Sequence, residues 1–550
     1  MTSRRRWART ALVALAVALS LPATLPAQAL PDSAKLEALK VEALRRVEGR
    51  AKQVQEIVDM LFSFSELGMQ EFETQRYITD LLQREGFQIT KGYAGMPSAW
   101  VARWVSPAGA KPVVTLGSDV DGIPQASNKP AFAFHEAQVE GAPGHGEGHN
   151  SGQAVNIVAA LVAKELMIRE RIPGTLVLWP GIAEEQMAGK AFLVREGLFR
   201  DADVALFTHV GSDLGVQWGQ SGSTALVSAI FKFKGTSAHA AGAPWRGRSA
   251  LDAAMLMGQG WEYQREHLEI NQRSHYVIRD GGDQPNVVPA TASVWYFLRE
   301  LDAPRIRTMW AMADSVAQGA AMMTGTRLAN VRVMGAAWPP HFNRPVAEAL
   351  ARNIERVGMP RWSEDDQRFA RAIQQEMGQP QRGLTTTPKG LEAPPADDQR
   401  KGGGSDDIGD VSWAVPTVQL FYPSNVPGTP GHNWADAIAM ATPIAHKGAT
   451  AGAKALALTV YDVLTSPALV ADAWRYYREV QTKDVRYESF VRPQDRPSTE
   501  LNAAILARYR DQMRPFYYDA SRFPTYLDQL GVKYPTLRGA DGSCGAKAVP

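Results

Sequence analysis

The densest concentration of potential chemistry in this chain is the run Gly144-His145-Gly146-Glu147-Gly148-His149-Asn150. Alternating glycines let the backbone come close to an ion and free the side chains at 145, 147 and 149 to converge. Histidine and glutamate are donors for hard and borderline divalent metals, although Glu-x-His alone equally suits a polar surface loop. A second group is Ala183-Glu184-Glu185, just beyond an apolar run that reads as a strand. Two adjacent acids at a strand end cannot both face one way. One can bind a metal while the other faces a water molecule and takes its proton. His209 closes the apolar run 204–209, and His432 lies in the turn-forming Pro427-Gly428-Thr429-Pro430-Gly431-His432-Asn433-Trp434. Each of these two suits either a metal ligand or a structural histidine. His135, His267, His275, His341 and His446 read as solvated or structural.

The elements that must position these groups follow from periodicity. Residues 34–61 and 71–85 carry apolar residues at helical spacing. Short apolar strands at 113–116, 174–179 and 204–209 then alternate with helices at 154–168 and 189–196, which predicts an α/β layer with a largely parallel sheet. Sites in such sheets gather beyond the strand C-termini, where Asp119, Glu184, Glu185 and His209 all fall. Between 224 and 337 the pattern changes to strand, helix, strand, strand, helix, strand, the order of a small two-layer domain. The fold expected is therefore an α/β catalytic domain, with a mixed, mostly parallel sheet flanked by helices, into which a ferredoxin-like β-α-β-β-α-β lid is inserted. The boundaries expected are 30–223 and 338–465 for the catalytic domain, 224–337 for the lid and 466–550 for a C-terminal extension. Residues 377–404, rich in Pro, Gly, Thr and charge, read as a loop.

The chain has 550 residues, 45% of them hydrophobic, and a formal charge of +2. Residues 1–29 hold Arg4, Arg5, Arg6 and Arg9 and no acid, so the remainder is slightly acidic. That balance argues against nucleic acid or an anionic membrane surface as the main partner. The single cysteine, Cys544, excludes an internal disulfide framework and a thiolate-rich metal cluster. The chemistry must come from His, Asp and Glu. The arginines, the apolar stretch that follows and Ala27-Gln28-Ala29 form a secretory signal with cleavage expected after Ala29. Ser3-Arg4-Arg5-Arg6-Trp7 resembles a twin-arginine signal. The mature protein is expected in the periplasm or medium.

Taken in series, the segments GSDVDGIP, GHGEGHNSG, AEEQMAGK, THVG, GTSAHAAGAPWRGRSALDA, NVVPATASVWYFLRELD, GSDDIGDVSW and PGTPGHNW resemble the dinuclear metal-dependent amidohydrolases. That family includes aminoacylases and carboxypeptidase-G-type metallopeptidases. The resemblance spans roughly residues 35–465. It implies two divalent ions per subunit, Zn2+ or Mn2+, held by Glu147, His149, Glu185, His209 and His432. It also implies Glu184 as general base and His239, in the lid, as a donor to the developing oxyanion, in this family often supplied by a partner subunit. Asn286 and Arg299 would hold the substrate's carboxylate or carbonyl groups, Arg through a two-pronged contact. Asp119, Asp121 and His145 would support the site. A homodimer joined through its lids is implied as well.

One position departs from the family pattern. Glu147 stands where the family branch places a bridging cysteine. A carboxylate can also bridge two metals, and an oxygen donor makes the site harder. The activity implied is hydrolysis of the amide bond of small N-acyl or N-aroyl amino acids, including p-aminobenzoyl-glutamate-like compounds, with Glu184 taking the proton of the attacking water. The competing readings are an exported dipeptidase or carboxypeptidase of the same family, marked by a requirement for a free α-amino group, and a binding protein that kept the fold without turnover. No Gly-x-Ser-x-Gly elbow supports a serine hydrolase.

Overall fold

The computed structural model describes residues 33–220 and 222–539. The expected signal, 1–29, and Cys544 lie outside the described residues. The first helical stretch, read as continuous over 34–61, divides into Ser33–Glu48 and Ala51–Phe64. Gly49 lies at the break, where the Gly49 N–H reaches the Arg45 carbonyl at 2.9 Å and the Arg50 N–H reaches that of Val47 at 2.9 Å. Glycine is the weakest helix former after proline, so apolar periodicity alone carried the prediction across a real boundary.

A seven-stranded sheet forms the centre of the molecule. Its parallel core runs, in spatial order, Thr175–Gly181, Val113–Asp119, Val204–Gly211 and Thr417–Pro423. Trp100–Val105 and then Gln88–Lys91 extend one edge antiparallel, and Gly215–Val216 does so at the other. Every residue of Val113–Asp119 and Thr175–Gly181 is buried, as expected for parallel strands covered on both faces. Alternate side chains face opposite layers. Val114, Leu116, Leu176, Leu178 and Leu206 pack with the helices Gly152–Glu170 and Pro443–Thr465. Val113, Val177, Trp179 and Phe207 pack in a second core with Phe192 and side chains of the lid. No single helix among the described residues is long and apolar enough to cross a membrane.

The lid is a four-stranded antiparallel sheet in the order Arg327–Ala337, Ala225–Lys234, Thr291–Glu300, Arg273–Asp280. Two helices, Ala250–Arg265 and Ala303–Thr324, join its strands. Each begins at a residue that caps it: the Ser249 hydroxyl oxygen accepts from the Asp252 N–H at 3.2 Å, and Asp302 from the Arg305 N–H at 2.8 Å. The outermost strand, Arg273–Asp280, is almost wholly exposed and carries Tyr276, Val277 and Ile278.

The C-terminal stretch after the long helix Pro443–Thr465 packs back across both parts of the molecule. The Tyr526 N–H donates to Asp59 at 3.0 Å, Gln70 donates to the Leu501 carbonyl at 2.9 Å, and Arg492 donates to Val331 of the lid at 3.0 Å. Within 377–404 the one helical feature is a single 3-10 turn, Asp397–Gln399.

Candidate active site

The four parallel strands end on one side, and each supplies one part of a single cluster, from its last residues in the case of His209 and from the chain that follows it in the others. Beyond Asp119 the chain enters a long loop. Bridges pair Gly122 with Leu67 and Ile123 with Gly144, which brings the glycine-rich run back beneath the strand ends. Gly148 has φ of +102°, a conformation open to glycine and strained for other residues, and it sits between Glu147 and His149. His145 is buried under this loop with Nε2 3.1 Å from the Leu61 carbonyl oxygen. Burial, with His149 nearby, pushes its pKa down to about 4, so it acts as a neutral support for the loop.

Beyond Gly181, Ala183 takes a left-handed φ of +52° and the chain makes one 3-10 turn, Glu184–Gln186. That turn is fastened from a distance. The Ala183 N–H donates to Glu71 Oε1 at 3.0 Å, while the other Glu71 oxygen accepts from the Ser98 hydroxyl at 2.6 Å. The turn directs Glu185 toward His432 and Glu147, and leaves Glu184 on the side of Asp406 and Asp407.

The five side chains expected as metal ligands meet. His432 Nε2 lies 2.7 Å from Glu147 Oε2 and 3.2 Å from Glu185 Oε2. His209 Nε2 lies 3.4 Å from His149 Nε2 and 3.8 Å from Glu147 Oε1. Donor atoms of Glu147, His149 and Glu185 all fall within 4.8 Å of one another. His432 has φ of +57°, a conformation uncommon outside glycine.

The chemistry of this donor set fits divalent ions. His209 Nδ1 sits 2.8 Å from the Val210 carbonyl oxygen and His149 Nδ1 faces Asp121 Oδ1 at 3.4 Å. The Val210 carbonyl accepts, so the His209 ring carries a proton on Nδ1. Both rings turn Nε2 toward the same space, 3.4 Å apart and near enough to share one cation. Glu185 Oε1 is buried there without a hydrogen-bond partner. Three imidazoles and two carboxylates suit Zn2+ or Mn2+. Asp121 also accepts from the Glu185 N–H at 3.1 Å, so one carboxylate orients two of the donors, an arrangement common behind metal-binding histidines.

Glu184 is buried beside this cluster. Burial raises its pKa well above the ordinary carboxylate range, and the charges of Asp406 and Asp119 add to that. Arg299 lies close enough for its charge to act on Glu184, and its Nε is buried without a hydrogen-bond partner. His239 and Asn286 are elsewhere. Both are exposed on the lid, in facing segments where His239 bridges Val287 and the Ala240 N–H donates to the Asn286 carbonyl at 3.0 Å.

Sequence reasoning missed Lys190. Its side chain has 0% exposure and its ammonium group is ringed by Asp119 Oδ1 at 2.6 Å, Asp406 Oδ1 at 3.3 Å and Asp407. The GSDDIGDVSW segment supplied the signal, since two adjacent acids between a glycine-rich run and an apolar strand need a partner if buried. Glu71 was missed as well.

Comparison with known proteins bears on this arrangement. Residues 221–311 match the model of the M20 peptidase dimerisation domain. The chain is 30% identical over 456 residues to a subunit of the p-aminobenzoyl-glutamate hydrolase of Escherichia coli, covering 79% of this chain and 94% of that protein. It belongs to the M20 family of metal-dependent amide hydrolases. A second M20 relative, the Xaa-Arg dipeptidase of Mus musculus, is 26% identical over 450 residues, 80% of this chain and 92% of that one. The crystal structure of an aminobenzoyl-glutamate utilization protein from Klebsiella pneumoniae shares the fold with a TM-score of 0.52, at 18% identity, over 77% of this chain and 97% of that one. The M20 dimerisation domain coincides with the first part of the lid.

Proposed function

We propose that this M20 hydrolase cleaves the amide bond of small N-acyl or N-aroyl amino acids, p-aminobenzoyl-glutamate-like compounds among them, and that it does so outside the cytoplasm as a homodimer. The observation that carries the reading is the convergence of Glu147, His149, Glu185, His209 and His432 next to a buried carboxylate that is not one of them, Glu184. The 30% identical relative, a p-aminobenzoyl-glutamate hydrolase subunit, supports an aryl amide of an amino acid as the substrate class. The signal-like residues 1–29 support export.

Zn2+ or Mn2+ ions held by those five side chains would supply Lewis-acid polarisation and activation of water. Glu184 takes the proton of the attacking water and delivers it to the departing amine. Its raised proton affinity, from burial first and then from Asp406 and Asp119, suits a group that must hold a proton between those two events. Asp121, 3.4 Å from His149 Nδ1, would hold that ring's proton on Nδ1 and leave Nε2 for an ion. Arg299, partly desolvated in the lid strand Thr291–Glu300, offers a two-pronged contact to a substrate carboxylate. His239 and Asn286 lie together on the lid, and a second copy is the natural source of His239 as a donor to the tetrahedral oxygen.

The test is hydrolysis of a panel of N-acyl amino acids and p-aminobenzoyl-glutamate by the mature protein and by Glu184→Gln, with metal content measured for both. Glu184→Gln is expected to lose at least about a hundredfold in rate while keeping its metal. Near-normal turnover by that variant, or bound metal without hydrolysis of any panel member, overturns the reading. N-terminal sequencing of exported material tests the signal, with Leu30 the expected first residue.

A further inference from the structure

The lid leaves and rejoins the catalytic domain through a narrow connection. Gly219–Gln220, before it, pairs antiparallel with His341–Phe342, after it, and a two-stranded ribbon is marginal by itself. Two parts of a chain joined in this way move relative to one another unless a sizeable apolar interface holds them. On one side of the lid, Arg400 donates to the Leu301 carbonyl at 2.8 Å and the Gly402 N–H to Asn271 at 3.1 Å, but the run Arg400-Lys401-Gly402-Gly403-Gly404 has no apolar side chain to bury.

Residues 487–502 of the C-terminal extension do bury apolar side chains, and they are anchored on both parts. On the catalytic side, the Arg492 and Asp495 carbonyls accept from Arg195 at 3.2 and 2.9 Å, and the Thr499 and Leu501 carbonyls accept from Gln70 at 3.1 and 2.9 Å. On the lid side, Arg307 donates to the Glu488 carbonyl at 3.1 Å, and Arg492 donates to the Val331 carbonyl at 3.0 Å, midway along Arg327–Ala337. Arg492 also grips Asp495 through two nitrogens, at 2.9 and 2.8 Å, so its fork is ordered where it meets the lid. Between these anchors Phe490, Val491 and Leu501 are buried in the core that holds Trp179 and Phe207 of the central sheet and Val227 and Met334 of the lid. The Phe490 ring stacks on Trp338, 5.6 Å between centres, and carries the Arg307 guanidinium at 4.9 Å.

We propose that residues 487–502 are a strap that locks the lid against the catalytic domain, making the lid a standing wall of the site rather than a hinged cover. Arg299, on the lid strand Thr291–Glu300, then keeps its place near Glu184 before any substrate arrives, and a contact arranged in advance lowers the ordering cost of binding. The lock itself does not depend on the substrate class proposed above.

Double electron–electron resonance on the full-length protein provides the test. Spin labels go on Ile168→Cys, in the catalytic-domain helix Gly152–Glu170, and Met323→Cys, in the lid helix Ala303–Thr324, both exposed positions. Cys544→Ser removes the native thiol, and excess unlabelled chain leaves one labelled copy per assembly. The unsubstituted strap is expected to give one narrow separation. Phe490→Ala/Arg492→Ala is expected to add a second separation while circular dichroism stays unchanged. Two separations with the strap intact, or the single original separation in the folded variant, overturn the inference. Should the variant fail to fold, the intact strap decides alone: one separation upholds the lock and two reject it. No turnover is read, so this outcome is separate from success or failure of the proposed activity.

Discussion

Asp121 is the most sensitive place to probe how the donors are held. Its side chain is buried, with one oxygen 3.4 Å from His149 Nδ1 and the other accepting from the Glu185 N–H at 3.1 Å. Asp121→Asn keeps the shape and replaces one acceptor by an NH2 group. If the amide oxygen stays on Glu185, the NH2 faces His149 Nδ1 and drives the ring proton to Nε2, where it blocks the donor atom. If the amide turns over, its NH2 meets the Glu185 N–H, and an unsatisfied buried donor costs about 1–3 kcal/mol. Loss of an outer carboxylate behind a metal-binding histidine weakens affinity about 10–100-fold, or about 1.4–2.8 kcal/mol. The two outcomes thus predict the same range. Competition of the full-length protein against a zinc-binding dye measures it, with circular dichroism and a thermal melt to verify the fold. Zinc affinity within about threefold of the unsubstituted protein, with the fold intact, would refute the orienting role of Asp121.

Two further outcomes concern the scaffold beneath the site. A Cβ at Gly117 would lie 2.1 Å from the Trp179 ring, which is itself packed by Phe199 and Phe207 at centroid distances of 5.2 and 5.7 Å. Gly117→Ala should therefore destabilise by about 1–3 kcal/mol, and an unchanged thermal midpoint would contradict this. Burial, reinforced by Asp121, raises Glu71 from 4.5 to about 8. The folded chain then keeps a proton that the unfolded chain has lost. The contribution of Glu71 to stability is complete below about pH 4.5 and drains away as pH rises through about 8. Glu71→Gln removes this titration, so denaturant midpoints of the variant should fall less steeply over that interval. Parallel curves would show that Glu71 is not the source.

Much of this was legible in the sequence because it is local. Glu147 and His149, or Glu184 and Glu185, advertise themselves through neighbours one or two positions away, and the strand runs before Asp119, Glu184 and His209 place them at strand ends. The lid's strand and helix order was readable for the same reason, since period and turn signals act over short stretches. What stayed hidden depends on pairs far apart in the chain. Asp407 meets Lys190 across 217 residues and Glu71 meets Ala183 across 112. Neither Lys190 nor Glu71 lies in a pattern that distinguishes it from a surface charge. The break at Gly49 escaped because the apolar spacing continues in phase on both sides of it. His239 and Asn286 could be matched to a motif, but their exposed place on the lid is a matter of tertiary arrangement that no spacing encodes.

The donors follow one another along the chain as 147, 149, 185, 209 and 432, with the whole lid synthesised between the last two. A growing polypeptide therefore carries four of the five groups through the making of some two hundred further residues before the fifth exists. Any premature stop within that interval yields a molecule with an incomplete grip on its ions, and the fourth parallel strand, Thr417–Pro423, is missing from most such fragments too. The donor set is thus closed only by a residue that follows the entire lid in the chain, and the long helix Pro443–Thr465 that backs the sheet is made after it.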